Sequence, residues 1–230
     1  MGFATRENPP HCCYPCFAMA SSYNAIAGQS VERLAALSDG IFGVAMTLLL
    51  LDLHVPAKEF IHSEGDLRIA FVHLLPQLLV YLMSFITLGI FWVGQQTQLN
   101  HLERSNRSLT WIHLAFLFAV TIMPFSTRLL IEFMQYRSAL LAYWANILLL
   151  GAFLYVSWGC AANSGLVRSD IPKEVPAAIC RRIWIGQSVY AIGALLCIFN
   201  TYWSIGFIVL VQLNYAIAPR LWRGNRSEEN

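Results

Sequence analysis

Six long apolar stretches, separated by short polar segments, dominate the pattern of hydrophobic and polar positions along the chain. A bilayer core about 30 Å thick takes roughly 20 residues of helix per crossing, and each stretch approaches this length. The stretches cover residues 33–53, 69–93, 109–131, 139–161, 183–199 and 202–218. Asn200 and Thr201 alone join the last two, which predicts a tight helical hairpin. The pattern therefore predicts an all-α membrane protein of six transmembrane helices.

The polar segments between these stretches are too short to hold a second domain, and no repeat with a period of 20 to 50 residues occurs. We expect residues 1–30 to form a disordered cytoplasmic leader, in which Met19 is a candidate for the true start. Residues 31–220 then form one six-helix domain, and residues 221–230 a cytoplasmic tail.

Basic residues are distributed unevenly between the two sides of this predicted topology. Lys and Arg are retained on the cytoplasmic side of membrane proteins. With the N-terminus inside, the cytoplasmic group is Arg6, Arg33, Arg104, Arg107, Arg168, Lys173, Arg181, Arg182, Arg220, Arg223 and Arg226. The outer group is Lys58, Arg68, Arg128 and Arg137. The distribution places both termini in the cytoplasm and the protein in the cell membrane.

Composition agrees with a membrane protein and excludes several functions. Hydrophobic residues make up 57% of the chain and charged residues 12%, whereas soluble domains carry about a quarter charged residues. The net charge is +2, and the basic residues mark loop ends, so nucleic-acid binding is not expected. Neither an H-E-x-x-H pair nor a G-x-S-x-G elbow occurs, and the Cys-Cys-Tyr-Pro-Cys run has only His11 beside it. We therefore expect neither an enzyme nor a metal site.

The first helix carries ionisable residues that a lipid-facing span normally avoids. Arg33 and Asp52 lie at its two ends, whereas Asp39 lies further in, where burial requires a partner. At the spacing i, i+4, i+7 and i+11, one face of this helix carries small, apolar and hydroxyl side chains. They are Gly40, Val44, Thr47 and Leu51. Such a face suits either a narrow pore or close helix packing.

The segment from Arg33 to Leu53 resembles the signature helix of the transmembrane protein 175 family of endolysosomal potassium channels and their prokaryotic relatives. The family pattern is an Arg, three variable residues, Phe-Ser-Asp and then a Thr eight residues after the Asp. Here Leu37 replaces the Phe before Ser38 and Asp39. Residues 81–85, 91–92 and 117–127 continue the resemblance.

The resemblance implies that the motif residues tie the first three helices together, with structural and gating roles. Where relatives often show a His pair after the Trp, this chain has two amides, which can hydrogen-bond to Ser38 or Asp39 but cannot gain a proton near neutral pH. We expect His113 to be a further partner of this network. The expected members are Arg33, Ser38, Asp39, Trp92, Gln95, Gln96 and His113.

The resemblance also implies a homotetramer whose pore is lined by the first helix of each subunit, without a Thr-Val-Gly-Tyr-Gly filter. The constriction falls five, eight and twelve positions after the motif Asp, on Val44, Thr47 and Leu51. Rings of Val or Leu can close a pore by excluding water, and a ring of Thr hydroxyls can replace part of an ion's hydration shell. Asp52 at the outer mouth would concentrate cations.

These features predict a leak-type cation channel with a modest preference for potassium over sodium. The expected partners are potassium ions, the lipid bilayer and three further copies of the chain, with no bound cofactor. Two alternatives stay open at this point. One is a proton-permeable channel, and the other is a secondary transporter, for which paired repeats and a helix broken at midplane are missing.

Overall fold

The computed structural model describes residues 30–51, 53, 61–172 and 174–223, with side chains as far as residue 214. Six α-helices make up this part of the chain, as predicted. They are α1 (Val31–Leu51), α2 (Glu64–Asn100), α3 (Arg107–Glu132), α4 (Arg137–Asn163), α5 (Glu174–Leu195) and α6 (Thr201–Arg223). A turn of 3₁₀-helix, Leu196–Ile198, follows α5. Residues 1–29 of the predicted leader, Asp52 and the last seven residues lie outside the described residues. Helix α6 continues to Arg223.

Four of these helices, α1 to α4, are long and apolar enough to cross a membrane. Within the described residues, α5 and α6 do not have the length, hydropathy and low charge of such a span. In α5 the charged residues Glu174, Arg181 and Arg182 fall in the first half, and α6 carries Gln212 and Asn214. Six helices are thus confirmed, and six crossings stay a prediction.

Helix α2 is much longer than its apolar stretch. Its 37 residues span about 55 Å, whereas the bilayer core is about 30 Å thick. The apolar run predicted residues 69–93, but polar residues extend the helix at both ends because helix formation does not stop where hydropathy falls. Ser63 begins α2 by accepting a hydrogen bond from the backbone N–H of Asp66, which satisfies one of the free donors of the first turn.

Helices α3 and α4 form the central pair of the bundle and make its most extensive contact. On one side α1 packs against α2 and α3, and on the other α5 packs against α4 and α6, while α6 returns to α2. The buried core runs through all of them, with Phe42, Met83, Phe116 and Tyr143 among its largest members. Lipid tails are as apolar as this core, so helix association here depends on packing and hydrogen bonds.

Two loops meet at one end of the bundle. The α2–α3 and α4–α5 loops pair through a short antiparallel bridge between Leu102 and Val167, in which Glu103 N–H donates to the Leu166 carbonyl. Gly165, with φ +64°, ends α4 in the left-handed conformation that favours glycine. The bridge keeps both loops at the same end of the bundle.

A set of hydrogen-bonded hydroxyl, phenol and amide groups, the polar seam, crosses the interior. Its members are Ser84, Thr87, Thr127, Tyr143, Tyr190 and Gln212. The Tyr143 hydroxyl lies 3.3 Å from Ser84 Oγ and 3.4 Å from Thr87 Oγ1, and Gln212 Nε2 donates to Thr87 at 2.6 Å and to Tyr190 at 3.1 Å. Thr127 donates to Ser84 at 2.8 Å. The seam joins every helix from α2 to α6 through bonds that lipid cannot replace.

The α5–α6 hairpin is as tight as its two-residue connection predicts. Asn200 begins α6, since its side chain accepts from the Tyr202 backbone N–H at 2.8 Å. Ser204 of α6 donates to the Gly193 carbonyl of α5. A Cβ at Gly193 would lie 2.7 Å from Ile208 Cγ1, so glycine is required for this approach.

Adding one methyl group at Gly193 tests the hairpin contact. Gly193→Ala should destabilise the protein by about 1–3 kcal/mol because the new Cβ overlaps Ile208. Gly206→Ala, in the same hairpin, is the matched control, since a Cβ there meets nothing within 4 Å. Thermal unfolding of the purified protein, followed by circular dichroism, should show a lower midpoint for the first variant alone. Equal midpoints would contradict the observed approach of α5 and α6.

Candidate functional site

Ser38 anchors the first helix to its two neighbours. Its hydroxyl is fully buried and lies 2.7 Å from both the Leu34 carbonyl and His113 Nε2, and it accepts from Gln95 Nε2 at 3.0 Å. A hydroxyl has one proton and two lone pairs. We therefore infer that Ser38 donates to Leu34 and that the imidazole carries its proton on Nε2, an assignment that satisfies the three contacts of the Ser38 hydroxyl.

Asp39, the next residue, binds a different pair of groups. One carboxylate oxygen, Oδ1, accepts from the Trp92 indole N–H at 2.8 Å and from Gln96 Nε2 at 2.7 Å. Both donors lie on α2. The carboxylate is exposed within one chain, so its negative charge is stabilised by these hydrogen bonds and not by a buried cation.

Neighbouring residues on α1 thus pair with neighbouring residues on α2, since Ser38 binds Gln95 and Asp39 binds Gln96. We call this group, with Trp92 and His113, the α1 lock. A shift of α1 by one residue would break both pairs and remove Ser38 from His113 on α3. The lock therefore fixes both the height and the rotation of α1 against α2 and α3.

One predicted member of the site, Arg33, is not part of the lock. Among the described residues Arg33 makes a backbone hydrogen bond to Ser30, and its exposed side chain does not join Ser38 or Asp39. His113 contacts Ser38 and not Asp39 directly. Within one chain Arg33 lies on the opposite, uncovered face of α1, and its expected role in tying the first three helices stays a prediction.

The predicted constriction residues lie on that uncovered face. Val44 is 58% exposed and Leu51 76% exposed, while Gly40 and Thr47 are also exposed. The opposite face of α1 is buried through Leu34, Ser38, Phe42, Ala45 and Leu49. We call Gly40, Val44, Thr47 and Leu51 the α1 stripe. The stripe is apolar apart from one hydroxyl, and nothing else in the described chain covers it.

Thr47 is the polar member of the stripe. Its hydroxyl donates to the Val44 carbonyl in the preceding turn at 2.8 Å. The single proton of the hydroxyl is thereby used, so its oxygen presents lone pairs to whatever lies against the stripe. A cation can be coordinated by such an oxygen, whereas an anion cannot.

Several polar residues of the site were not predicted from the sequence. Ser157 and Gln98 line, with Gln95 and His113, a cavity of about 10 Å³ next to the lock. The Gln95 Oε1 atom is buried there without a hydrogen-bond partner among the described residues. In the sequence these residues are visible only as polar positions inside apolar stretches, as at Ser157 and in the polar seam. Hydropathy alone does not show which helices such residues join.

Comparison with known proteins finds a family model that matches the first three helices. The model of the family described as endosomal/lysosomal potassium channel TMEM175 matches residues 33–124, which span α1, α2 and most of α3. A potassium channel of Chamaesiphon minutus is 27% identical over 189 residues, covering 80% of this chain and 93% of that protein. The mouse endosomal/lysosomal proton channel TMEM175 is 30% identical over 124 residues, covering 52% of this chain and 24% of that protein.

A solved structure shares the fold over most of the chain. The crystal structure of a lysosomal potassium-selective channel TMEM175 homolog from Chamaesiphon minutus superposes with a TM-score of 0.70 at 25% identity. The match covers 82% of this chain and 97% of that one. In fold and in sequence the chain is similar to multi-pass membrane proteins that are named as cation channels. This similarity to the TMEM175 channels is the one that the motif in its first helix predicted.

Removing the Ser38 hydroxyl tests the α1 lock. Ser38→Ala leaves the buried Gln95 amide and His113 imidazole without their shared partner, which should cost about 1–3 kcal/mol. Ser188→Ala, at an exposed serine of α5, is the matched control. The free energy of unfolding in detergent, measured by denaturant titration, should fall for the first variant alone. An unchanged value would show that Ser38 does not carry the contact between α1 and its neighbours.

Proposed function

We propose that this chain forms a potassium-permeable, leak-type cation channel with a modest preference for potassium over sodium. The observation that carries the proposal is the α1 stripe, an uncovered face with one hydroxyl, on a helix whose other face is locked to α2 and α3. The similarity to proteins named potassium channels supports the same conclusion. Permeant potassium is the ligand, and no cofactor is required.

The channel is a homotetramer in which α1 of each subunit lines one central pore. A stripe on the surface of a single chain encloses nothing, so several copies must meet along it to form a pathway. The groove beside the stripe is lined by Leu37, Gly40, Val44, Leu48 and Thr121 and has room for an apolar side chain of a neighbouring copy. The small residue Gly40 and the exposed Asp39 both lie near this contact.

Two layers of the stripe have different roles in this proposal. Val44 and Leu51 form apolar rings that exclude water and keep the pore closed or narrow. Thr47, between them, offers four hydroxyl oxygens whose protons are already donated to Val44 carbonyls. Because this ring lacks a ladder of carbonyl groups, discrimination between potassium and sodium is modest. Asp52 at the outer mouth concentrates cations.

All six helices cross the cell membrane, with both termini in the cytoplasm. The positive-inside rule favours this orientation, since the α2–α3 and α4–α5 loops carry Arg104, Arg168 and Lys173. The bridge between Leu102 and Val167, which keeps these loops together, is consistent with it. In α5 the pair Arg181 and Arg182 then lies toward the cytoplasmic surface.

Ion flux into liposomes tests the proposal directly. Vesicles that contain the purified protein and are loaded with potassium should release their ion faster than matched vesicles loaded with sodium. Ion-sensitive dyes measure both rates. Empty liposomes provide the control, and native mass spectrometry of the same sample establishes the number of subunits. A folded tetramer without cation flux would overturn the channel proposal, and a functional monomer would overturn the shared pore.

The role of the hydroxyl ring is tested by substitution at Thr47. Thr47→Val removes the oxygen while keeping shape, so the ratio of potassium to sodium flux should change about two- to tenfold with assembly intact. Thr47→Ser keeps the hydroxyl and is the matched control, in which the ratio should stay near that of the wild type. A ratio untouched by Thr47→Val would remove Thr47 from ion selection.

Proton permeation is a second candidate, which the name of the mouse relative favours. The same liposomes loaded with a pH-sensitive dye separate the two functions. Proton entry without potassium or sodium flux would favour a proton channel over a potassium channel. Potassium flux that exceeds proton flux under equal driving force supports the proposal above.

A further inference from the structure

A cleft runs along the outer surface of the bundle between α2 and α5, and its floor is Leu154 of α4. The volume of the cleft is about 80 Å³. Most of its lining is apolar, with Ile90 and Phe91 on one wall and Ile179 and Ile183 on the other. Both α2 and α5 pack on other helices, so the cleft remains open toward the surroundings of the protein.

Two glycines provide the width of the cleft. A Cβ at Gly186, on the α5 wall, would meet nothing within 4 Å, so that wall opens into free space. A Cβ at Gly94, on the α2 wall, would lie 3.4 Å from Leu154 Cδ2, in ordinary contact with the floor. Larger residues at these positions would fill the space that the glycines leave.

The two ends of the cleft differ in charge. Arg182 lines one end, at the level of Thr97 near the end of α2, and Tyr190 lines the other, about 12 Å further along α5. Arg182 is the cationic residue among those that line the cleft.

The surface around the cleft is largely apolar and suits the membrane crossing proposed for α5. Trp184, Ile185 and Ile192 of α5 are each more than half exposed. Tyr155 packs edge-on against Trp184 with ring centroids 5.8 Å apart, and aromatic residues of this kind are typical of the membrane interface. An occupant of the cleft must therefore enter from the bilayer, with an apolar chain and an anionic group at one end.

We propose that this cleft binds an anionic phospholipid of the cytoplasmic leaflet. The phosphate accepts hydrogen bonds from the Arg182 guanidinium, which matches phosphate geometry, and one acyl chain lies over Gly94 and Gly186 toward Tyr190. The proposal rests on the membrane orientation argued above and is independent of which ion the channel conducts.

Native mass spectrometry of the assembled protein tests the site, with phosphatidylglycerol and phosphatidylcholine of identical acyl chains as probes. The wild type should bind phosphatidylglycerol about tenfold more tightly. Arg182→Gln should remove most of this preference. Arg181→Gln is the matched control, because Arg181 is the neighbouring cation and does not line the cleft. It should retain the preference.

A second variant tests the acyl-chain part of the cleft. Gly186→Leu fills the space between the walls and should weaken binding of phosphatidylglycerol about tenfold while Arg182 is intact. The circular dichroism spectrum and the subunit number of this variant should match those of the wild type. If the variant does not fold, the two arginine variants test the proposal by themselves. Equal losses for Arg181→Gln and Arg182→Gln, or equal affinity of the wild type for both lipids, would overturn the proposal. Unchanged binding by folded Gly186→Leu would do so as well.

Discussion

The hydrogen bonds of Ser38 and Asp39 are the contacts on which the arrangement of the first helix depends. In a bilayer the solvent is as apolar as the protein interior, so burying Phe42 or Leu49 does little to choose one rotation of α1 over another. The rotation of α1 is instead fixed by Ser38 and Asp39, because each of these adjacent residues has its own hydrogen-bond partner on α2. A bundle held by packing alone would leave α1 free to turn.

The consequence of this lock is the exposure of the α1 stripe. Anchoring Ser38 against His113 commits the Leu34, Phe42 and Leu49 face to the core and turns Val44 and Leu51 outward. In the proposed tetramer the same contacts that hold one subunit together therefore aim the pore face at the central axis. The lock is built from a hydroxyl, two neutral amides, an indole, an imidazole and one carboxylate, so its geometry is set by donor and acceptor number more than by charge pairing.

The rest of the bundle repeats this use of polar groups at another depth. The polar seam joins α2 to α6 through Tyr143 and Gln212, and the α5–α6 hairpin adds the bond from Ser204 to the Gly193 carbonyl. Helices α5 and α6 carry further charged and amide residues. The proposed lipid cleft lies between α2 and α5, away from the stripe, so the proposed sites for ions and for lipid are separate.

The sequence by itself determined the number of helices, their approximate limits, the apolar character that marks a membrane protein and the face of α1 that carries Val44, Thr47 and Leu51. These follow from periodicity and hydropathy, which are local properties of the chain. The motif around Ser38 and Asp39 also predicted the similarity to TMEM175 channels that the comparisons found, and it named most of the lock. Tertiary structure decided the rest. It paired Gln95 with Ser38 and Gln96 with Asp39, left Arg33 outside, and joined Ser84, Thr87 and Gln212 into a seam. The reason is that a hydrogen bond between helices requires two residues far apart in sequence to meet at one height and rotation, and no local pattern contains that information.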